Sequence, residues 1–463
     1  MKNSLLLRDF RLFDPSEKLD KISDILIEDG KITKIDEFID ISNVEIIQGN
    51  KQILLPGLID FHVHYRDPGE TYKEEIFTGS RASAKGGFTT VIMMANTNPT
   101  MDNINSLLNQ KESIDKNSLI RTLQTAAVTI GRRGEEIVDI DSLSKFGVVS
   151  FSDDGDVIQN EKILVEALRK ANSNKRTILE HCEDEDWIRD GVVNLGQVSL
   201  RLGLKGRPRK AEISSISRDI EVARKNNLWV YLQHVSCKES VELIRNAKKD
   251  GVDVTAEVTP HHLFMNENWT YGNQENSPSW IDIDSFETNT RVNPPLRTEE
   301  DRLCLIEALL DGTIDIVATD HAPHSKGDKN NTFDEAPAGI NGAETAILSL
   351  LTMMNKNELR LENIVSSLCS KPGAILENIL GLKVGKIKVV AFDAPTRIVD
   401  DIKTGLIDLA IAQHPAEIGY YGVVTAYAAL TGQSIPVAIG TGFTVMDKSN
   451  IDDPEIRKFV YSD

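Results

Sequence analysis

Two histidines stand two residues apart in Gly57-Leu58-Ile59-Asp60-Phe61-His62-Val63-His64. Leu58, Ile59, Phe61 and Val63 make this run read as a buried strand. Side chains on a strand alternate between faces, so Asp60, His62 and His64 share one face. Two imidazoles so placed can reach a single metal ion from one rigid backbone, at bond lengths of about 2 Å. Histidine pairs also fall by chance on polar edge strands, so a metal site needs further ligands from elsewhere in the chain.

They occur at the ends of other apolar runs. Ser152-Asp153-Asp154-Gly155, Glu180-His181-Cys182, Gln233-His234-Val235-Ser236 and Thr319-Asp320-His321-Ala322-Pro323-His324 each close such a run. Taken singly, His181 or His234 reads as a hydrogen-bonded wall residue, and the aspartates as turn residues or helix N-caps. Converging on one rim, four histidines and two carboxylates suit one or two borderline metals such as zinc, with water completing the sphere. The pair in Thr259-Pro260-His261-His262 reads as supporting or structural, because only so many ligands fit one site. His414 lies far along the chain and is given no role.

The elements that must carry these residues alternate from Leu58 onward. Strands are expected at 58–63, 89–95, 119–127, 147–152, 177–181, 229–234, 252–258 and 315–319. Helices are expected between them, among others at 159–172, 211–226, 238–250 and 300–311. Eight strands alternating with helices predict an α/β protein built on a parallel (β/α)8, TIM-like barrel, whose chemistry sits at the C-terminal strand ends. Three regions follow: an N-terminal β-unit over 1–55, expected to be antiparallel, the barrel over 56–380, and an α/β tail over 381–463. Residues 266–289 read as an exposed insertion near the rim.

Bulk properties exclude several classes. The 463 residues are 40% hydrophobic and 27% charged, and 52 Lys+Arg against 71 Asp+Glu leave a formal charge of −19. That surplus opposes non-specific binding to nucleic acid or to anionic membranes. Cys182, Cys237, Cys304 and Cys369 are scattered without a CxxC pair, which fits a reducing cytoplasm rather than a disulfide framework. The apolar run near Met1 is too short for a signal sequence, and no stretch approaches the roughly 20 apolar residues of a membrane span.

The sequence resembles the dihydroorotases of the amidohydrolase superfamily over roughly residues 1–385. The motifs that carry the resemblance run from Pro56 to Gly69, Met94 to Pro99, Phe151 to Gly155, His181 to Asp184, Thr259 to His262, Val292 to Arg297 and Ala318 to His324. The resemblance implies an amidohydrolase-type barrel and two zinc ions per subunit. His62, His64 and Asp320 would lie on one ion, and His181 and His234 on the other. The bridging aspartate matches Asp154, with Asp153 as the alternative. Hydantoinase-like relatives bridge with a carboxylated lysine, and Ser152–Gly155 holds no lysine. Asp320 would be the catalytic proton carrier. His64, Arg66, Asn96, Asn293 and His324, with backbone groups of Ala338 and Gly339, would bind the substrate.

The implied reaction is the reversible cyclisation of N-carbamoyl-L-aspartate to (S)-dihydroorotate in pyrimidine synthesis. Implied partners are a second copy of the chain or aspartate transcarbamoylase. The competing readings are another cyclic-amide hydrolase, a hydantoinase or allantoinase, and a catalytically inactive scaffold of the same fold. The tail departs from this family. Phe392-Asp393, Ile411-Ala412-Gln413 and Gly419 resemble the C-terminal portion of periplasmic sugar-binding proteins, with strands expected near 389–392, 406–411 and 436–439 and helices at 395–404 and 415–431.

Overall fold

The computed structural model describes residues 4–274, 277, 283–380, 390–392, 409–413, 443–447 and 452–454. The chain divides into two compact units, one spanning Gly57–Val384 and the other Met1–Pro56 with Gly385–Asp463.

In the larger unit, eight parallel strands carry the site: β1 (Leu58–Val63), β2 (Phe88–Met93), β3 (Arg121–Ala126), β4 (Ser150–Phe151), β5 (Leu179–Glu180), β6 (Val230–Leu232), β7 (Val254–Val258) and β8 (Ile316–Val317). β1 to β4 pair in order, as do β5 to β8. Parallel bridges Phe151↔Ile178 and Val63↔His321 join the two halves and close the barrel. Most of the strands are largely apolar on both faces because helices cover them outside and their own side chains fill the inside. Ile59, Phe61, Ile92, Leu179, Tyr231 and Ile316 form part of one buried cluster, with Phe61 stacked on Tyr231 at 5.8 Å between ring centroids.

Helices follow where the period changes from 2 to 3.6. Glu161–Ser173, Lys210–Asn226, Lys238–Lys249 and Glu299–Asp311 lie within a residue or two of the predicted bounds. Glu299–Asp311 shows why the ends are legible. Thr298 accepts from Asp301 N, the Asp301 side chain returns the bond, and Gly312 ends the helix at φ +83°. One excursion was not expected. Between β5 and Lys210–Asn226, Val193–Asn194 pairs in parallel with Gly206–Arg207 around the helix Gln197–Leu202.

The described part of 266–289 departs from a purely exposed insertion. Trp269 is buried and packs with Val292 and Leu296, because a large indole with apolar neighbours leaves water readily. Residues 275, 276 and 278–282 lie outside the described residues.

In the smaller unit, Ser4–Asp14 pairs antiparallel with Leu19–Glu28, which pairs antiparallel with Lys31–Asp36. The expectation of a wholly antiparallel unit fails at the next step. The chain crosses over through buried Ile39, so Glu45–Gln48 and Ile53–Leu54 run parallel to Ser4–Asp14. In the tail, Val390–Phe392 pairs in parallel with Leu409–Gln413, which pairs antiparallel with Phe443–Asp447. The helices expected at 395–404 and 415–431, the strand at 436–439, Asp393, His414 and Gly419 lie outside the described residues.

Candidate metal centre

The C-terminal ends of β1, β4, β5, β6 and β8 bring six side chains to one buried point. His62 Nε2 and His64 Nε2 stand 3.1 Å apart. Asp154 lies between the two histidine pairs: its Oδ1 is 3.4 Å from His62 Nε2 and 3.5 Å from His181 Nδ1, and its Oδ2 is 3.2 Å from His64 Nε2. His181 Nδ1 faces His234 Nε2 at 2.7 Å. Asp320 Oδ1 closes the first pair, 3.1 Å from His64 Nε2 and 3.5 Å from His62 Nε2. Ligand atoms of His62, His64 and Asp154 lie close enough to hold one ion, and those of Asp154, His181 and His234 a second.

The electrostatics follow from this crowding. Burial pulls His62 down, but Asp320, Glu257 and Asp154 more than reverse it, so the ring sits well above its usual pKa. His181 rises against burial to about 10, through Asp154 and Glu183. His234 falls to about 3, through burial and the neighbouring His181. Burial raises Asp154 and Asp320, yet the histidines hold both carboxyls below the ordinary range. Like nitrogens at 3.1 Å cannot both point a proton at each other, and His234 Nδ1 has no partner. Four ring nitrogens and two anionic carboxylates converging on one buried point fit a divalent metal.

Of the two adjacent aspartates, Asp153 is consumed elsewhere. It accepts from Val128 N at 2.8 Å, Thr129 N at 3.1 Å and Thr129 Oγ1 at 2.5 Å, which leaves Asp154 as the shared carboxylate. Asp60, on the same expected face as His62, accepts from Thr319 N at 2.9 Å and Thr319 Oγ1 at 2.5 Å and ties β1 to the end of β8. Burial, partly offset by those bonds, puts its carboxyl at about 6.

His262 is structural: Thr259 Oγ1 is 2.7 Å from its Nδ1, and its Nε2 donates to the Pro294 carbonyl at 2.9 Å. His261 is equally buried, with neither ring nitrogen partnered. His321 is occupied by Glu74 at 2.9 Å and by the backbone of Gly342 and Ala343.

Most of the residues expected to contact substrate make bonds of their own within the chain. Arg66 Nε donates to Pro323 O at 3.3 Å. Burial lowers Arg66, while Glu70, Asp320 and Asp154 raise it. Asn96 accepts from His64 Nδ1 at 2.9 Å and donates to the Asp154 carbonyl at 3.2 Å and to Asp154 Oδ2 at 3.3 Å, so it touches two candidate ligands directly. Asn293 is half-buried beside Pro294. His324 Nε2 donates to Ala338 O at 2.9 Å, which leaves buried Nδ1 as a free acceptor. Gly339 N donates to Arg291 O at 2.9 Å. A Cβ at Gly339 would lie 2.5 Å from Ala322 O, and its φ of +139° also demands glycine. Ala338 O and Gly339 N are thus engaged within the chain, and any role for this segment in shaping the pocket comes through its close backbone packing.

Glu257 is the residue that pattern reading missed. Its Oε1 accepts from His62 Nδ1 at 2.7 Å and His234 N at 3.2 Å, and its Oε2 accepts from Tyr231 OH at 2.6 Å. The available signal was a single charge inside the apolar run Val254–Val258.

A closed parallel barrel with histidines and carboxylates at its C-terminal rim defines an amidohydrolase-type hydrolase. Solved structures share that fold: the L-hydantoinase (dihydropyrimidinase) of Arthrobacter aurescens, TM-score 0.70 at 23% identity, covers 81% of this chain and 82% of its own. The dihydropyrimidinase of Brevibacillus agri, TM-score 0.68 at 21% identity, covers 83% and 84%. Residues 51–240 match the family described as dihydro-orotase-like. The dihydroorotase of Clostridioides difficile is 41% identical over 80% of this chain and 85% of its own. That of Aquifex aeolicus is 41% identical over 83% and 87%. The chain belongs to the dihydroorotase family.

Proposed function

We propose that this chain is a zinc-dependent dihydroorotase, interconverting N-carbamoyl-L-aspartate and (S)-dihydroorotate for pyrimidine synthesis. The observation that carries the reading is Asp154 shared between two histidine pairs with Asp320 beside them, in a chain 41% identical to curated dihydroorotases.

His62, His64 and Asp320 would hold one zinc and His181 and His234 the other, with Asp154 between. Bound there, the metal supplies Lewis acidity, making hydroxide available near neutral pH and polarising a carbonyl oxygen. Asp320, kept anionic by the histidines, accepts the proton released when water adds to the ring amide carbon. It returns that proton to the amide nitrogen as the C–N bond breaks; ring closure runs the same transfers backwards. Arg66 offers a planar fork to the substrate carboxylate. Neutral His324 offers an acceptor at Nδ1, and Asn96 steadies His64 and Asp154 while facing the same space.

No helix among the described residues is long and apolar enough to cross a membrane. Cys182, Cys237 and Cys304 form no disulfide, which supports a cytoplasmic setting. Association with a second copy or with aspartate transcarbamoylase rests on the family resemblance and is read by light scattering of the chain alone and mixed with that enzyme. The substrate assignment is tested by comparing kcat/KM for dihydroorotate and hydantoin. Dihydroorotate should be preferred by orders of magnitude, and a preference for hydantoin overturns the assignment.

A further inference from the structure

His181 differs from the other three histidines at the centre. His62, His64 and His234 turn Nε2 inward, whereas His181 turns Nδ1 inward, 2.7 Å from His234 Nε2 and 3.5 Å from Asp154 Oδ1. A neutral imidazole offers one lone pair and one N–H. His181 can therefore present Nδ1 to a metal only when its proton sits on Nε2. Glu183 Oε2 stands 3.4 Å from that nitrogen.

Glu183 is fully buried, and its placement is built rather than incidental. Its backbone N donates to His181 O at 2.9 Å, a tight turn that joins the two residues. Arg207 Nη1 donates to Glu183 Oε2 at 2.5 Å, and Arg207 Nε donates to Gly191 O at 3.1 Å. Arg207 belongs to the excursion between β5 and the following helix. That segment is packed so closely that a Cβ at Gly191 would lie 2.6 Å from the Arg207 backbone.

We propose that Arg207 and Glu183 are positioning residues: together they hold the His181 proton on Nε2 and so aim Nδ1 at the second metal position. This deepens the dihydroorotase reading and rests on it for the metal. A carboxylate behind a ligating histidine fixes its tautomer and ring orientation, and losing such a partner weakens metal binding by about 10–100-fold. It also gives the excursion a task, since the arginine that anchors Glu183 comes from it.

Removing Glu183 alone would strand a buried guanidinium, so the removal variant is the double substitution Glu183→Leu with Arg207→Met. Glu183→Gln is the rescue, because an amide oxygen still accepts from Nε2–H. Two readouts need no turnover. Histidine 15N shifts of the zinc-loaded protein report which ring nitrogen of His181 keeps its proton, and titration with zinc alone against a competing chelator reports affinity at each position. The wild type and Glu183→Gln should show His181 as the Nε2–H form. The double variant should lose that preference and bind zinc at the His181–His234 position about 10–100-fold more weakly, with the His62–His64 position unchanged. A double variant that keeps both the Nε2–H form and wild-type zinc affinity overturns the proposal. A wild type that neither binds zinc nor turns over dihydroorotate overturns the functional reading instead, whereas a wild type that does both beside an unaffected double variant overturns only the role of Glu183 and Arg207.

Discussion

Replacing Glu257 with leucine removes one carboxylate on which three buried donors depend. His62 Nδ1, Tyr231 OH and His234 N all point at it, at 2.7, 2.6 and 3.2 Å. Leucine fills a similar volume but accepts nothing. Each stranded donor costs about 1–3 kcal/mol, and the tyrosine hydroxyl has freedom to turn elsewhere. The sum for the metal-free protein is about 3–5 kcal/mol of lost stability. His62 also loses the partner that keeps its proton on Nδ1, so zinc affinity at its position should fall about 10–100-fold. Glu257→Gln keeps one acceptor and should lie between the two proteins in both measurements. Urea unfolding of metal-free protein reads the first effect, and zinc titration against a chelator reads the second. If Glu257→Leu unfolds at the wild-type urea concentration and binds zinc within twofold of wild type, the carboxylate does not organise His62 and the reasoning fails.

Asp320→Asn should cut dihydroorotate turnover by about 10²–10⁴-fold; His321→Asn, whose ring is engaged away from the centre, should keep most of it, and steady-state kinetics on both separates the roles. Arg66→Lys retains charge but loses the fork, so KM for dihydroorotate should rise with zinc content unchanged; an unchanged KM shows that the carboxylate is held elsewhere. Burial first, and Arg66 second, lower His324 to about 4, so this ring costs the folded state stability as pH falls from about 6.5 towards 4 and has no effect above that window. Its 15N titration should show no protonation between pH 7.5 and 5, and a midpoint above 6 contradicts the environment described for it.

The barrel was legible because most of its strands are apolar runs and its helices carry caps, as at Thr298 and Gly312. The histidines were legible because chemistry is confined to strand ends, which put five separate runs on one rim. Local pattern could not choose between Asp153 and Asp154. That choice rests on Val128 and Thr129 reaching Asp153 from the end of β3, a contact between distant parts of the chain. Glu257 was missed for a related reason: a lone charge inside a strand has no periodic signature, and its meaning appears only when His62 is seen behind it. The reversed ring of His181 is a matter of side-chain direction, which spacing does not encode. The parallel return of Glu45–Gln48 depended on a crossover that alternating hydrophobicity cannot distinguish from a hairpin. Arg297, given no role at the end of the motif Val292 to Arg297, is a buried tie, donating to Ser236 Oγ at 3.0 Å and Asn194 Oδ1 at 2.9 Å.

Under the proposed function, two metal positions share Asp154 and drive dihydroorotate chemistry. The most direct measurement titrates zinc into metal-free protein while following bound metal and dihydroorotate hydrolysis together. Saturation is expected near two zinc per chain, with activity rising as the positions fill and lost again on chelation. Hydrolysis that proceeds at full rate without metal, or a fully loaded protein that leaves dihydroorotate untouched, would contradict it.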